Sequence, residues 1–144
     1  MERKYLGFDI GGTKCALVVG DAAPHILSRV EIATRAYSGW QAVLDALIAK
    51  IPAGEYEAAG ISCGGPLDSK RGLILSPPNL PGWDEVPIVE YLQARLQVPV
   101  YLQNDANACA LAEWRFGAGR GCRNMVFMTF GTGLGAGLSL DGRL

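Results

Sequence analysis

Excess basic charge is missing from this 144-residue sequence: 13 lysines and arginines stand against 14 aspartates and glutamates, for a net charge of −1. That excludes the basic stripe with which a nucleic-acid binder neutralises phosphates, and no nucleic acid is expected as a partner. Long apolar runs are missing as well. The longest uncharged stretch, Asn124 to Leu140, has 17 residues, four of them glycine. It is too short and too glycine-rich for a spanning helix, so no membrane partner is expected. Met1 to Tyr5 is followed by no apolar segment of the kind a signal peptide needs. Histidine occurs once, as His25 in a Pro-His turn context, and reads as a surface residue. The four cysteines, Cys15, Cys63, Cys109 and Cys122, show no CxxC spacing and no neighbouring histidine to complete a zinc site. Their surroundings suit small, buried, reduced side chains, which points to a cytoplasmic location.

Proline is absent after Pro99, and there glycine takes over. Eight of the 19 glycines fall between Gly117 and Gly142, in a chain already rich in glycine against an average of about 7%. The length suits one domain of roughly 100–200 residues, and 49% hydrophobic residues suit a soluble protein with a real core. The exchange of proline for glycine nevertheless suggests a boundary near residue 120.

Tyr5 to Ile10, Cys15 to Gly20 and Ile26 to Thr34 read as three strands with tight links. Trp40, Val43, Leu44, Leu47, Ile48 and Ile51 recur at helical spacing and predict an amphipathic helix, ended by Pro52 and Gly54. A strand over Tyr56 to Ser62 and a proline-rich loop over Ser76 to Trp83 follow. A helix from near Pro87 carries Ile88, Leu92 and Leu96 on one face. Val98 to Gln103 reads as a strand and Asp105 to Phe116 as an alanine-rich helix. Two last strands, Met125 to Phe130 and Leu134 to Leu140, turn on Gly131-Thr132-Gly133. This order predicts an α/β fold with a mixed sheet and a second unit just beginning.

Three motifs imitate known sites and are set aside. Gly60-Ile61-Ser62-Cys63-Gly64 matches a hydrolase nucleophile elbow, but Gly65-Pro66 follows where a helix is needed, and no histidine lies downstream. Gly7 to Lys14 nearly spells a P-loop, yet ends Gly-Thr-Lys and leads into a strand rather than a helix N-terminus. Gly131 to Ala136 resembles a dinucleotide fingerprint and also leads into a strand.

What the two glycine turns share is a capacity to hold anions. Without Cβ atoms, backbone N–H groups can converge on a phosphate, with Thr13 or Thr132 adding a hydroxyl donor. Asp9, at the end of the first strand, could hold a hydrated Mg²⁺. Plain hairpin turns remain the alternative for either loop alone. Asn104-Asp105-Ala106-Asn107 lies at a strand-to-helix junction, where ligands gather in open α/β folds. Either Asn104 or Asp105 serves there as a helix cap, or Asp105 accepts the proton of a substrate hydroxyl during phosphoryl transfer.

Five blocks together resemble the ROK family of sugar kinases, most closely its bacterial glucokinase-type members. They are Phe8 to Lys14, Gly64 to Asp68, Pro78-Asn79-Leu80, Asn104 to Ala108 and Gly131 to Gly135, in that order and across the whole chain. The resemblance implies the actin-like ATPase (ribonuclease-H-like) fold, with two lobes closing on ATP and a sugar. It makes Asp9, Gly11, Gly12, Thr13 and Lys14 the first phosphate loop, and Gly131, Thr132 and Gly133 the second. Asp105 becomes the catalytic base, with Asn104 and Asn79 hydrogen-bonding sugar hydroxyls. Trp83 either backs Asn79 or simply packs in the core. The family's later sugar-binding glutamate and histidine residues, its zinc motif and its adenine pocket would lie beyond Leu144.

The expectation is therefore an ATP- and Mg²⁺-dependent hexose kinase acting on the 6-hydroxyl of glucose. Residues 1–121 would form its first lobe and residues 122–144 the opening hairpin of a truncated second lobe. Alone, the chain is expected to be inactive. Its hairpin, lacking the sheet it should join, is expected to pair with another chain as a homo-oligomer or to be poorly ordered. The alternatives are a non-catalytic sugar- or phosphate-binding lobe, or a regulator of the same family without its DNA-binding module. Only eight residues precede Asp9, which weighs against the regulator.

Overall fold

The structure, a computed structural model, describes residues 3–131 and 133–144, and these divide into two compact units between Leu102 and Gln103. The first is built on β1 (Lys4–Ile10), β2 (Lys14–Asp21) and β3 (Ile26–Ala33), a meander closed by one 3₁₀ turn at Thr34–Ala36. Next come α1 (Trp40–Ile48), β4 (Ala58–Cys63), the short β5 (Leu67–Asp68) and β6 (Leu73–Ile74), α2 (Ile88–Leu96) and β7 (Val100–Asn104), whose last two residues belong to the second unit. The sheet runs β3-β2-β1-β4-β7, with β1 antiparallel to β2 and parallel to β4. The expected mixed sheet is present.

Period-two alternation explains β1, where Leu6, Phe8 and Ile10 are buried and Asp9 is exposed. Helical spacing explains α1, whose Val43, Leu44 and Leu47 face inward. They join Phe8, Leu17, Ile61, Ile88 and Leu92 in one hydrophobic core. The β5–β6 pair was not foreseen. Two residues per strand carry no readable period, and the pair exists because Leu67 and Asp68 lie opposite Ile74 and Leu73.

The second unit consists of α3 (Asp105–Phe116), β8 (Met125–Phe130) and β9 (Leu134–Ser139). The two strands pair antiparallel from Met125↔Ser139 to Phe130↔Leu134. One hairpin face lies on α3, whose buried residues are Ala106 and Ala110. The approach is so close that a Cβ on Gly137 would stand 2.5 Å from the Ala110 Cβ and 2.7 Å from the Ala106 carbonyl oxygen. Only glycine fits there. Helix α3 supplies the surface that covers one face of the hairpin, whose two strands form a sheet of their own. The boundary anticipated at 121/122 falls inside this unit. Among the described residues, no helix is long and apolar enough to cross a membrane.

Candidate functional site

In the first unit the site begins at the carboxyl end of β1. Asp9 is exposed between the buried Phe8 and Ile10, opposite Ala16 on β2 and Ser62 on β4. The chain then turns through Gly11, Gly12 and Thr13 into β2. Thr34 lies beneath this turn, 6% exposed, and its Oγ1 donates to the Gly11 carbonyl at 2.6 Å. Its backbone N–H donates to the Thr13 carbonyl at 3.0 Å. Lys14 sits beside the turn with its Nζ 3.1 Å from Glu31 Oε1. Glu31 also pairs with Arg29, and the hydrogen bond from Lys14 leads in holding its carboxyl below the usual range.

The proline-rich loop approaches the turn from the other side. Two successive turns shape it, with Leu80 N–H donating to Pro77 O at 2.9 Å and Trp83 N–H to Leu80 O at 3.2 Å. Leu80 and Trp83 are buried at 2% and 4% exposure and anchor the loop, while Asn79, just before Leu80, is exposed. Trp83 thus packs in the core and also lines the recess beside Asn79. A Cβ on Gly12 would stand 2.1 Å from the Asn79 carbonyl oxygen, so this glycine is what lets the two loops abut. The recess holds about 220 Å³ and is lined by Gly12, Thr34, Arg35, Tyr37, Asn79 and Trp83.

In the second unit, Asn104 caps α3. Its Oδ1 accepts from Ala106 N–H at 3.0 Å and from Asn107 N–H at 3.4 Å. Asp105 Oδ1 shares the Ala106 N–H at 2.8 Å. Gln103 Oε1 accepts from Asn104 N–H at 2.8 Å and from the Asn107 side-chain amide at 3.3 Å. The capping geometry is therefore present, and each residue has one side-chain oxygen on the helix terminus. Asp105 is exposed. In the β8–β9 turn, Gly131 N–H donates to Gly133 O at 3.0 Å, and Thr132 lies outside the described residues.

Within the first unit, the structure brings together Asp9, Gly11, Gly12, Thr13 and Asn79, with Lys14 held aside by Glu31. Within the second it sets Asn104 and Asp105 side by side. Thr34, Arg35 and Tyr37 were missed, since none belongs to a recognisable motif. The signal for Thr34 was the β2–β3 register, which places Lys14 opposite Ala33 and hence brings residue 34 to the turn.

A five-stranded mixed sheet with a glycine turn after its central strand, followed by a capped helix and glycine hairpin, defines the actin-like ATPase class. The model of the ROK family matches residues 5–144, and the chain belongs to that family. It is 37% identical over 143 residues to a glucokinase of Streptomyces coelicolor, covering 96% of this chain and 44% of that protein. A solved ROK glucokinase from Streptomyces griseus, in complex with glucose and AMPPNP, superposes with a TM-score of 0.83 at 37% identity. It covers 99% of this chain, which spans 45% of it. A ROK hexokinase from Thermus thermophilus gives 0.81 at 40% identity, covering 97% of this chain and 48% of that one. The chain spans about half the length of these relatives.

Proposed function

We propose that this chain carries the sugar-hydroxyl and first phosphate-binding elements of an ATP-dependent hexose kinase that phosphorylates the 6-hydroxyl of glucose. The observation that carries this reading is the abutment of Gly12 on the Asn79 carbonyl, which joins an anion-accepting turn to a sugar-ready amide. The bound glucose and AMPPNP in the Streptomyces griseus relative support the pairing of sugar and nucleotide.

Backbone N–H groups of Gly11, Gly12 and Thr13 bind phosphate oxygens, with the Thr13 hydroxyl as a further donor. Gly131, Thr132 and Gly133 form the second phosphate turn, and Lys14 adds positive charge beside the first. Asn79 and Asn104 fix the sugar through amide hydrogen bonds. Asp105 accepts the proton of the attacking hydroxyl, with Oδ1 tied to Ala106 N–H and Oδ2 as the receiving oxygen. General-base help of this kind contributes about 10²–10⁴-fold, and positioning with charge stabilisation supplies the rest.

Among the described residues, no group of three His, Cys, Asp or Glu side chains could cage a metal. The exposed carboxylate of Asp9 fits Mg²⁺, which keeps most of its waters and needs one or two carboxylates besides substrate phosphates. When bound, Mg²⁺ neutralises charge developing on the phosphates. Self-association through the uncovered hairpin face, and a cytoplasmic location, belong to the same reading. The 44–48% coverage of its relatives favours one alternative for residues 1–144 alone, a lobe that binds without turnover.

The test is Asp105→Asn in the full chain, followed by coupled ADP release and glucose titration. Turnover collapses while glucose affinity changes little; near-normal turnover refutes the assignment.

A further inference from the structure

Thr34 is one of few buried polar residues in the first unit, and its hydroxyl and its backbone N–H both donate to the turn after β1. Its hydroxyl proton goes to the Gly11 carbonyl at 2.6 Å. A hydroxyl has one proton to give, so the Cys15 thiol, 3.2 Å from Thr34 Oγ1, must be the donor in that contact. The thiol is also 3.5 Å from Gly11 O. Burial pushes the Cys15 thiol up, which keeps it protonated for this task. Thiol, hydroxyl and carbonyl therefore form a directed chain ending on the Gly11–Gly12 peptide.

A trans peptide is planar, with its C=O and N–H pointing in opposite directions. Pulling the Gly11 carbonyl toward Thr34 therefore aims the Gly12 N–H away from Thr34. The backbone hydrogen bond from Thr34 N–H to Thr13 O fixes the far end of the same turn. We propose that Thr34 is a positioning residue for the phosphate loop, turning the Gly11–Gly12 peptide so that the Gly12 N–H is presented to an anionic ligand. This rests on reading that loop as the nucleotide-phosphate site.

The variants are Thr34→Val, which keeps the shape and removes the donor, and Thr34→Ser, which keeps the donor. In the ligand-free full chain, Thr34→Val shifts the amide resonances of Gly11, Gly12 and Thr13 while those of β1 and β4 stay in place, and Thr34→Ser restores them. AMPPNP affinity falls about tenfold in Thr34→Val and stays within about twofold of wild type in Thr34→Ser. Glucose affinity remains within about twofold throughout. Unchanged loop resonances in Thr34→Val overturn the proposal. So does equal loss of AMPPNP and glucose affinity, or failure of serine to rescue, since either marks a general loosening. If the resonances move and return as described but wild type binds no AMPPNP, the positioning role stands and the nucleotide reading falls.

Discussion

Residues 3–102 bury Phe8, Leu44, Leu47, Ile88 and Leu92 almost completely, whereas the covered positions of residues 103–144 are small: Ala106, Ala110, Gly119, Gly137 and Ser139. The first unit is held by aliphatic volume, and the second by backbone-to-backbone proximity between a helix and a hairpin. On the hairpin, the half-buried Met125 and Phe127 alternate with large side chains that are exposed. Val126, Met128, Phe130, Leu134 and Leu138 are 49–77% exposed, and the strand register pairs them across one face. Removing atoms should therefore damage the first unit, and adding them should damage the second. The proposed chemistry divides as well: the first phosphate loop and Asn79 lie in the first unit, while the proton acceptor Asp105 lies in the second with Asn104 and the second glycine turn.

The largest effect expected separates binding from chemistry. Asp105→Asn lowers kcat by about 10²–10⁴-fold with little change in glucose affinity, as measured by coupled ADP release and calorimetry. A matching loss of glucose affinity would break the division. Next, Leu47→Ala opens a cavity in the first core and costs about 2–5 kcal/mol by chemical denaturation. Leu134→Ala on the exposed hairpin face changes stability by less than about 0.5 kcal/mol. Equal costs would erase the contrast between the units. Gly137→Val forces a side chain into α3 and costs about 1–3 kcal/mol, visible as lost amide protection in β8 and β9.

A smaller effect concerns acid. Asp21 accepts from the Ala23 and His25 amides and lies 2.9 Å from the His25 ring nitrogen. The His25 amide leads in holding its carboxyl below the ordinary value of 3.8. A depressed folded pKa gives stability that is present above the unfolded value and lost as pH falls through the folded one. Asp21→Asn therefore flattens the acid limb of the stability curve below pH 3.8. The smallest effect is at Ser139, whose buried Oγ has no hydrogen-bond partner among the described residues. Ser139→Ala removes an unsatisfied group and raises stability by up to about 1 kcal/mol; a loss of that size would reveal a partner for the hydroxyl.

Strands and helices with a strong period were legible in the sequence. Asp105 to Phe116 and Met125 to Phe130 coincide with α3 and β8 residue for residue, since a cap or a glycine turn marks their ends. Helix α1 stops at Ile48, three residues short of the pattern, because Ile51 packs on the core from the following turn rather than from the helix. The β5–β6 pair was not legible, being a product of chain reversal rather than periodicity. Glycine turns and Asn-Asp junctions announce candidate site residues, yet the contacts that organise them are long-range. Gly12 meets Asn79 across 67 positions of chain, and Thr34 reaches Gly11 across 23. No local pattern encodes either. The covered face of the hairpin was hidden for the same reason: Gly135 and Gly137 read as part of a strand, and what packs against them shows only when α3 is seen there.

The joint presentation of phosphate and sugar donors by abutting loops is tested most directly by Gly12→Ala, since the added Cβ would meet the Asn79 carbonyl oxygen at 2.1 Å. Calorimetric titration of the full chain with AMPPNP and with glucose should show both affinities falling, by about tenfold or more. Loss of AMPPNP binding with glucose binding intact would contradict the account.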